Sequence, residues 1–170
     1  MRRLLAIKLL SMIIALNFAG CGSVTKQPTE PAIWEYDYVA TYQSSYPAVM
    51  TPGQTTTVTI EVKNVGSATW FNIGPSKMAL GTGSKYGTSE QSYGYQSELS
   101  DSSWISDSTP VAISDNEVPT GATTTFEFTL RAPEIVGTYK AYFTPKIGDT
   151  PLKDAGIYYQ IEVVRSIETF

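Results

Sequence analysis

Thr57-Val58-Thr59-Ile60-Glu61-Val62-Lys63 alternates without a break, with Val58, Ile60 and Val62 on one side and Thr57, Thr59, Glu61 and Lys63 on the other. A period of two sends successive side chains to opposite faces, so the stretch reads as a strand with one buried and one wet face. Residues 125–131 (TFEFTLR) repeat the pattern with Phe126, Phe128 and Leu130 inward, and residues 159–163 (YQIEV) repeat it again. Sheets with one solvated face are usually antiparallel, and two such sheets must meet face to face to bury both apolar sides. The expected fold is all-β, an antiparallel β-sandwich.

Turn signals separate these segments at Pro52-Gly53, Asn64-Val65-Gly66, Pro119-Thr120-Gly121, Gly137-Thr138 and Ile147-Gly148-Asp149. Asn64 and Gly66 suit a turn that needs positive φ. Further strands are expected at about 36–43, 68–71, 78–80, 111–113 and 138–143, and no stretch after residue 21 shows a helical period. The segment 81–107 breaks the rhythm, being long, rich in Ser and Gly, and home to Tyr86, Tyr93, Tyr95 and Trp104. A connection of that length is either functional or mobile.

Two blocks resemble a known family. Met50-Thr51-Pro52-Gly53, followed by residues 62–70 (VKNVGSATW), is similar to the start of the immunoglobulin-like module of the four-tryptophan type, known from selective-autophagy receptors and from bacterial extracellular proteins. Residues 118–122 (VPTGA), 126–133 (FEFTLRAP) and Gly137-Thr138-Tyr139 are similar to its later strands, so the resemblance spans 50 to about 164. It implies an immunoglobulin-like sandwich. Trp70 and Trp104 stand at tryptophan positions of the family, Phe143 where another tryptophan is usual, and Trp34 lies ahead of the module. Independently of family, Trp70 is a plug for the space between sheets. Pro133 stops a strand before Gly137 reopens the chain, and Tyr139 is placed to bond back to the backbone as a tyrosine corner does.

Upstream of the sandwich the chain carries Arg2, Arg3 and Lys8, an apolar run at 9–16 (LLSMIIAL), and Ala19-Gly20 directly before Cys21, the only cysteine. Basic, apolar and small-residue regions in that order read as a secretory signal peptide, and the apolar run is shorter than the ~20 residues a membrane-spanning helix needs. The small pair leading into cysteine resembles the lipobox of bacterial lipoproteins, which implies cleavage before Cys21 and lipidation of its sulfur. Membrane attachment then comes from acyl chains such as palmitate, two of which hold where one binds only marginally. The expected organisation is a signal peptide over 1–20, a lipidated cysteine and flexible tether over 21–35, and the sandwich over 36–166. The polar tether carries Pro28 and Pro31. The implied location is the cell envelope, on the extracytoplasmic side of a membrane.

Composition narrows the function. Without the leader the chain has nine basic against 16 acidic residues, a net charge of −7, which makes nucleic acid an unsuitable partner. There is no histidine. With Cys21 committed to lipid, histidine-based triads, cysteine nucleophiles, His/Cys zinc sites and disulfides are all excluded. Stability must come from apolar burial, for which 42% hydrophobic content with 11 Tyr, six Phe and three Trp provides an aromatic-rich core. No catalytic residue and no cofactor beyond the covalent lipid is expected.

The remaining candidates are for binding. Tyr86, Tyr93, Tyr95 and Trp104, flanked by Ser, Thr and Asp, have the makings of an aromatic platform for sugars, whose apolar faces stack on rings. The plainer alternative, which we favour, is that Trp104 belongs to the core and the tyrosines cover a loop. Asp101, Asp107, Asp115 and Asn116 supply hard oxygen ligands, yet their spacing matches no calcium loop. The expectation is a non-catalytic module that engages an envelope protein, or alternatively an envelope or extracellular polysaccharide.

Overall fold

The computed structural model describes residues 30–83 and 93–165. It consists of ten strands and one 3-10 turn, Ile33–Glu35. The strands are β1 (Tyr38–Gln43), β2 (Val49–Met50), β3 (Thr55–Asn64), β4 (Trp70–Phe71), β5 (Met78–Thr82), β6 (Glu117–Val118), β7 (Thr123–Arg131), β8 (Gly137–Ile147), β9 (Thr150–Pro151) and β10 (Ile157–Val163). One sheet has the order β1-β3-β7 and is antiparallel throughout. The other has the order β2-β10-β8-β5, with β9 folded back on β8. A short antiparallel pair, β4-β6, closes one side.

This strand order is that of an immunoglobulin-like sandwich. β1, β3 and β7 take the places of strands A, B and E, while β10, β8 and β5 take G, F and C. The first strand is split: β1 pairs with β3 in one sheet, and β2 crosses to the other, where it runs parallel to the end of β10. Glu162 and Val164 donate their N–H groups to the carbonyls of Ala48 and Met50 across that parallel pair.

The alternation of the three deciding segments builds the core. Val58, Ile60 and Val62 on β3, Phe126, Phe128 and Leu130 on β7, and Tyr159, Ile161 and Val163 on β10 are all buried. Each such side chain contributes about 1.5–3 kcal/mol by leaving water. The centre is aromatic, as composition implies: Phe128, Phe143, Tyr159 and Trp104 meet with ring centroids 5.2–6.0 Å apart, most of them edge to face. Trp70 fills its intersheet place completely.

Several elements differ from the sequence reading. Residues 111–113 form no strand; their backbone meets β5 through a single bridge, Ala79 with Ala112, flanked by bonds from Leu80 N–H to Val111 O and from Ile113 N–H to Met78 O. That segment shields the β5 edge rather than extending the sheet. Gly137-Thr138 is no turn but opens β8, whereas β2, β6 and β9, two residues each, are too short for periodicity to mark.

The Asn64-Val65-Gly66 turn contains no positive φ at all. Asn64 is buried, donates from Nδ2 to Ala68 O and Val118 O, and accepts the N–H of Gly66 on Oδ1. Gly66 is glycine because the chain approaches there: a Cβ would stand 2.3 Å from Glu35 O and 2.6 Å from Asp37 N. The 3-10 turn is thereby docked on this loop, with Glu35 O accepting from the N–H groups of Ser67 and Ala68. Contact with the sandwich thus begins just ahead of Tyr36.

The Tyr139 hydroxyl donates to Ile135 O at 2.8 Å, which makes the tyrosine corner. Pro133 lies two residues past the end of β7, in the link to Gly137.

Candidate functional site

The aromatic residues of the 81–107 segment do not share one surface. Trp104 is interior, edge-on to Phe128 and Phe143, with Nε1 donating to Thr129 O at 2.6 Å. It is therefore withdrawn from any platform. Tyr95 is half-buried, its hydroxyl accepting the N–H of Tyr142 at 3.0 Å and its carbonyl accepting the Thr82 hydroxyl at 2.6 Å. Burial raises its phenol pKa above the usual value. Tyr93 keeps a ring in solvent at 44% exposure. Gly83 seats that ring, for a Cβ there would stand 2.6 Å from it. Tyr86 and Cys21 lie outside the described residues.

The oxygen ligands scatter as well. Asp101 pairs with Arg131 at 3.0 Å and accepts the N–H of Ser103, whose hydrogen bond chiefly holds its carboxyl below the ordinary range. Asp115 accepts from the Thr124 hydroxyl at 2.7 Å, and Asn116 bonds to Asn72. Among the described residues no three His, Cys, Asp or Glu side chains come together.

What the fold does assemble is a groove along β5. Inward Phe143 and Ile147 on β8 leave Lys146 on the opposite face, beside Gly81 of β5, because the strand period is two. The β8–β9 turn then brings Asp149 within 3.8 Å of the Lys146 ammonium. On the other side the chain doubles back at Ser106 and Thr109, which bond to each other in both directions, and Ser108 O accepts the N–H of Thr82. Two depressions result, of about 240 and 440 Å³, which share Ser108, Lys146 and Asp149. The smaller holds Tyr93 and Gly81, and the larger holds Ile105, more than half exposed, with Pro75 and Lys77. Burial raises the Tyr93 phenol above its usual pKa.

Chemically, the groove offers one ring face, a flat glycine floor, hydroxyls, an ammonium and a fully exposed carboxylate. That set suits hydrogen bonding and stacking along an extended ligand. Tyr93 was legible as a candidate, but Lys146, Asp149, Ser108 and Ile105 were not. Only the turn signal at Ile147-Gly148-Asp149 hinted that Asp149 is exposed, and nothing in the sequence joins it to Tyr93.

No protein-family model and no curated protein matches the chain. Among solved structures it is similar to native alpha-2-macroglobulin of E. coli, at 21% identity and a TM-score of 0.43 over 75% of this chain and 7% of that one. It is similar also to the part of the Escherichia coli protein running from domain MG7 to the C-terminus, at 20% identity and 0.44, covering 79% of this chain and 17% of that one. A beta-glucosidase from Listeria innocua, in complex with glucose, aligns at 12% identity and 0.41 over 75% and 16% of the respective chains. The chain thus spans less than a fifth of the length of each of these. The assignment to an immunoglobulin-like sandwich rests on the strand order given above.

Proposed function

We propose that this chain is a bacterial lipoprotein, held to the extracytoplasmic side of an envelope membrane by acyl chains on Cys21, whose immunoglobulin-like sandwich acts as a non-catalytic interaction module. The groove along β5 is its contact surface. The observation that supports this best is the meeting of Tyr93, Ser108, Lys146 and Asp149, from three separate stretches of chain, around an open and partly apolar trough. An open trough of mixed polarity suits an extended protein segment, with Ile105 as an apolar contact and the Lys146–Asp149 pair setting charge register. The absence of histidine and of a second thiol from the sequence favours binding over chemistry. The resemblance to the four-tryptophan modules belongs to this proposal and adds no partner.

The test is a photo-crosslinking residue placed at Ser108 in whole cells, with Glu127 on the exposed face of β7 as control. A discrete protein adduct at position 108, absent from the control and lost in Lys146→Glu, is expected. Equal labelling at both positions would refute the groove. A second reading, binding of envelope or extracellular polysaccharide, is favoured by the exposed Tyr93 ring alone. In that case Tyr93→Ala abolishes retention on the polysaccharide while the protein adduct never appears.

A further inference from the structure

Trp34 is 83% exposed, beside Ile33 at 40% and across the docked loop from Val65 at 43%. Tryptophan is highly buried on average, and here two consecutive apolar side chains, Ile33 and Trp34, stand in solvent together. Here the exposure is built in. Glu35 Oε2 accepts the N–H of Ala32 at 2.7 Å, Glu35 N–H donates to Ala32 O, Glu35 O is tied to Ser67 and Ala68, and Tyr36 is buried behind. These bonds fix the backbone that carries the ring on the outer side of the turn.

Where the turn lies identifies what it meets. It sits at the end of the sandwich from which the chain runs back to Cys21, and eleven residues separate Cys21 from Ile33. A chain of that length can extend about 20 Å as a coil and about 40 Å fully stretched, so acyl chains on Cys21 keep this end nearer the membrane than the opposite one. Tryptophan is the side chain favoured at the headgroup level, where its ring is half in hydrocarbon and its N–H half in water. The local charge sets the lipid class. Glu30, Glu35 and Asp37 flank Trp34 in sequence and outnumber the cations of this end, exposed Lys63 and Lys153, the latter paired with Asp37 at 2.6 Å. An anionic surface would be repelled.

We propose that Trp34 and Ile33 form a second, interfacial contact with a net-neutral lipid headgroup layer, engaged only because the lipid on Cys21 keeps it close. This rests on the lipoprotein reading above. A single acyl chain or a single ring binds marginally, but tethering makes the second contact intramolecular. The contact fixes the tilt of the sandwich on the membrane, and with it the direction in which the β5 groove faces.

The test uses the full chain purified from membranes, its Cys21 modification read by mass spectrometry, and reconstituted in phosphatidylcholine vesicles with and without brominated acyl chains. Trp70 and Trp104 are buried, so Trp34→Phe isolates the one exposed indole. The expected result is loss of the Trp34 emission in brominated vesicles, with Trp34→Phe unaffected. Equal emission of the acylated parent in brominated and in unbrominated vesicles would overturn the inference and leave the tether standing. So would shielding of Trp34 from acrylamide without quenching by bromine, which means that protein covers the ring. Quenching that needs phosphatidylglycerol and vanishes in salt would overturn the neutral-lipid assignment. An unmodified Cys21 would instead remove the tether on which both rest.

Discussion

Asn64 and Gly66 carry more of this fold than their size suggests. The side chain of Asn64 ties three backbone groups from two loops, and Gly66 lets the N-terminal turn lie against the chain. Asn64→Ala strands two buried carbonyls and is expected to cost about 2–3 kcal/mol in denaturant melts. Gly66→Ala drives a methyl into backbone rather than into a flexible side chain, and a loss of about 3 kcal/mol is expected from the same measurement. Tyr159 gives the opposite case. Its hydroxyl is buried with Ser44 and Gln43 as polar neighbours but no partner in good hydrogen-bond geometry, and burial pushes its pKa up to about 12. Because the folded pKa exceeds the unfolded value of about 10, this residue stabilises the fold fully below pH 10 and ceases to do so as pH rises through about 12. Tyr159→Phe is therefore expected to hold or raise the melting temperature at pH 7 and to lessen its fall between pH 10 and 12. A Phe variant that melts lower at pH 7 would mean that the hydroxyl is bonded after all.

At the scale of elements, strands long enough to alternate several times were legible from periodicity, whereas of the two-residue strands only β4, within the expected stretch 68–71, was anticipated. β3, β7 and β10 announce themselves because a period of two needs several residues to be seen, while β2, β6 and β9 have only two each. Residues 111–113 look strand-like in composition yet meet β5 through one bridge, since the chain there caps an edge. The tyrosine corner shows a local signal that sufficed: a tyrosine two residues past a glycine, whose hydroxyl bonds four residues back. Tyr139→Phe is expected to lower stability by about 1 kcal/mol, visible as a drop of a few degrees in melting temperature. Of the site, Tyr93 could be picked out by its type, but its companions Lys146 and Asp149 lie some fifty residues away in sequence. Only the β5–β8 register brings them beside it.

For the whole molecule, one aromatic core serves both sheets, and the carboxylates are spread over its surface in separate hydrogen bonds and ion pairs. Asp101 is held by Arg131 and Ser103, and Asp115 by the Thr124 hydroxyl, in separate places on the surface. Melting temperatures in chelator and in millimolar calcium are expected to coincide, and a rise of several degrees with calcium would show that these groups gather. The charge and the missing histidine are read directly from the sequence, whereas the poles at which Tyr38 and Val163 lie are not, because they depend on strand pairing.

The two chain ends emerge at opposite poles. Tyr38 lies beside Asn64 at one pole, and Val163 lies beside Gly137 and Met50 at the other. If the N-terminal side is fixed and a load is applied through the C-terminal side, tension runs along the strands. The parallel pair β2–β10 is then pulled in opposite directions, and the bonds from Glu162 to Ala48 and from Val164 to Met50 are strained together in shear rather than opened one after another. The split first strand thus places a parallel pair where tension between the two poles loads both of its hydrogen bonds at once.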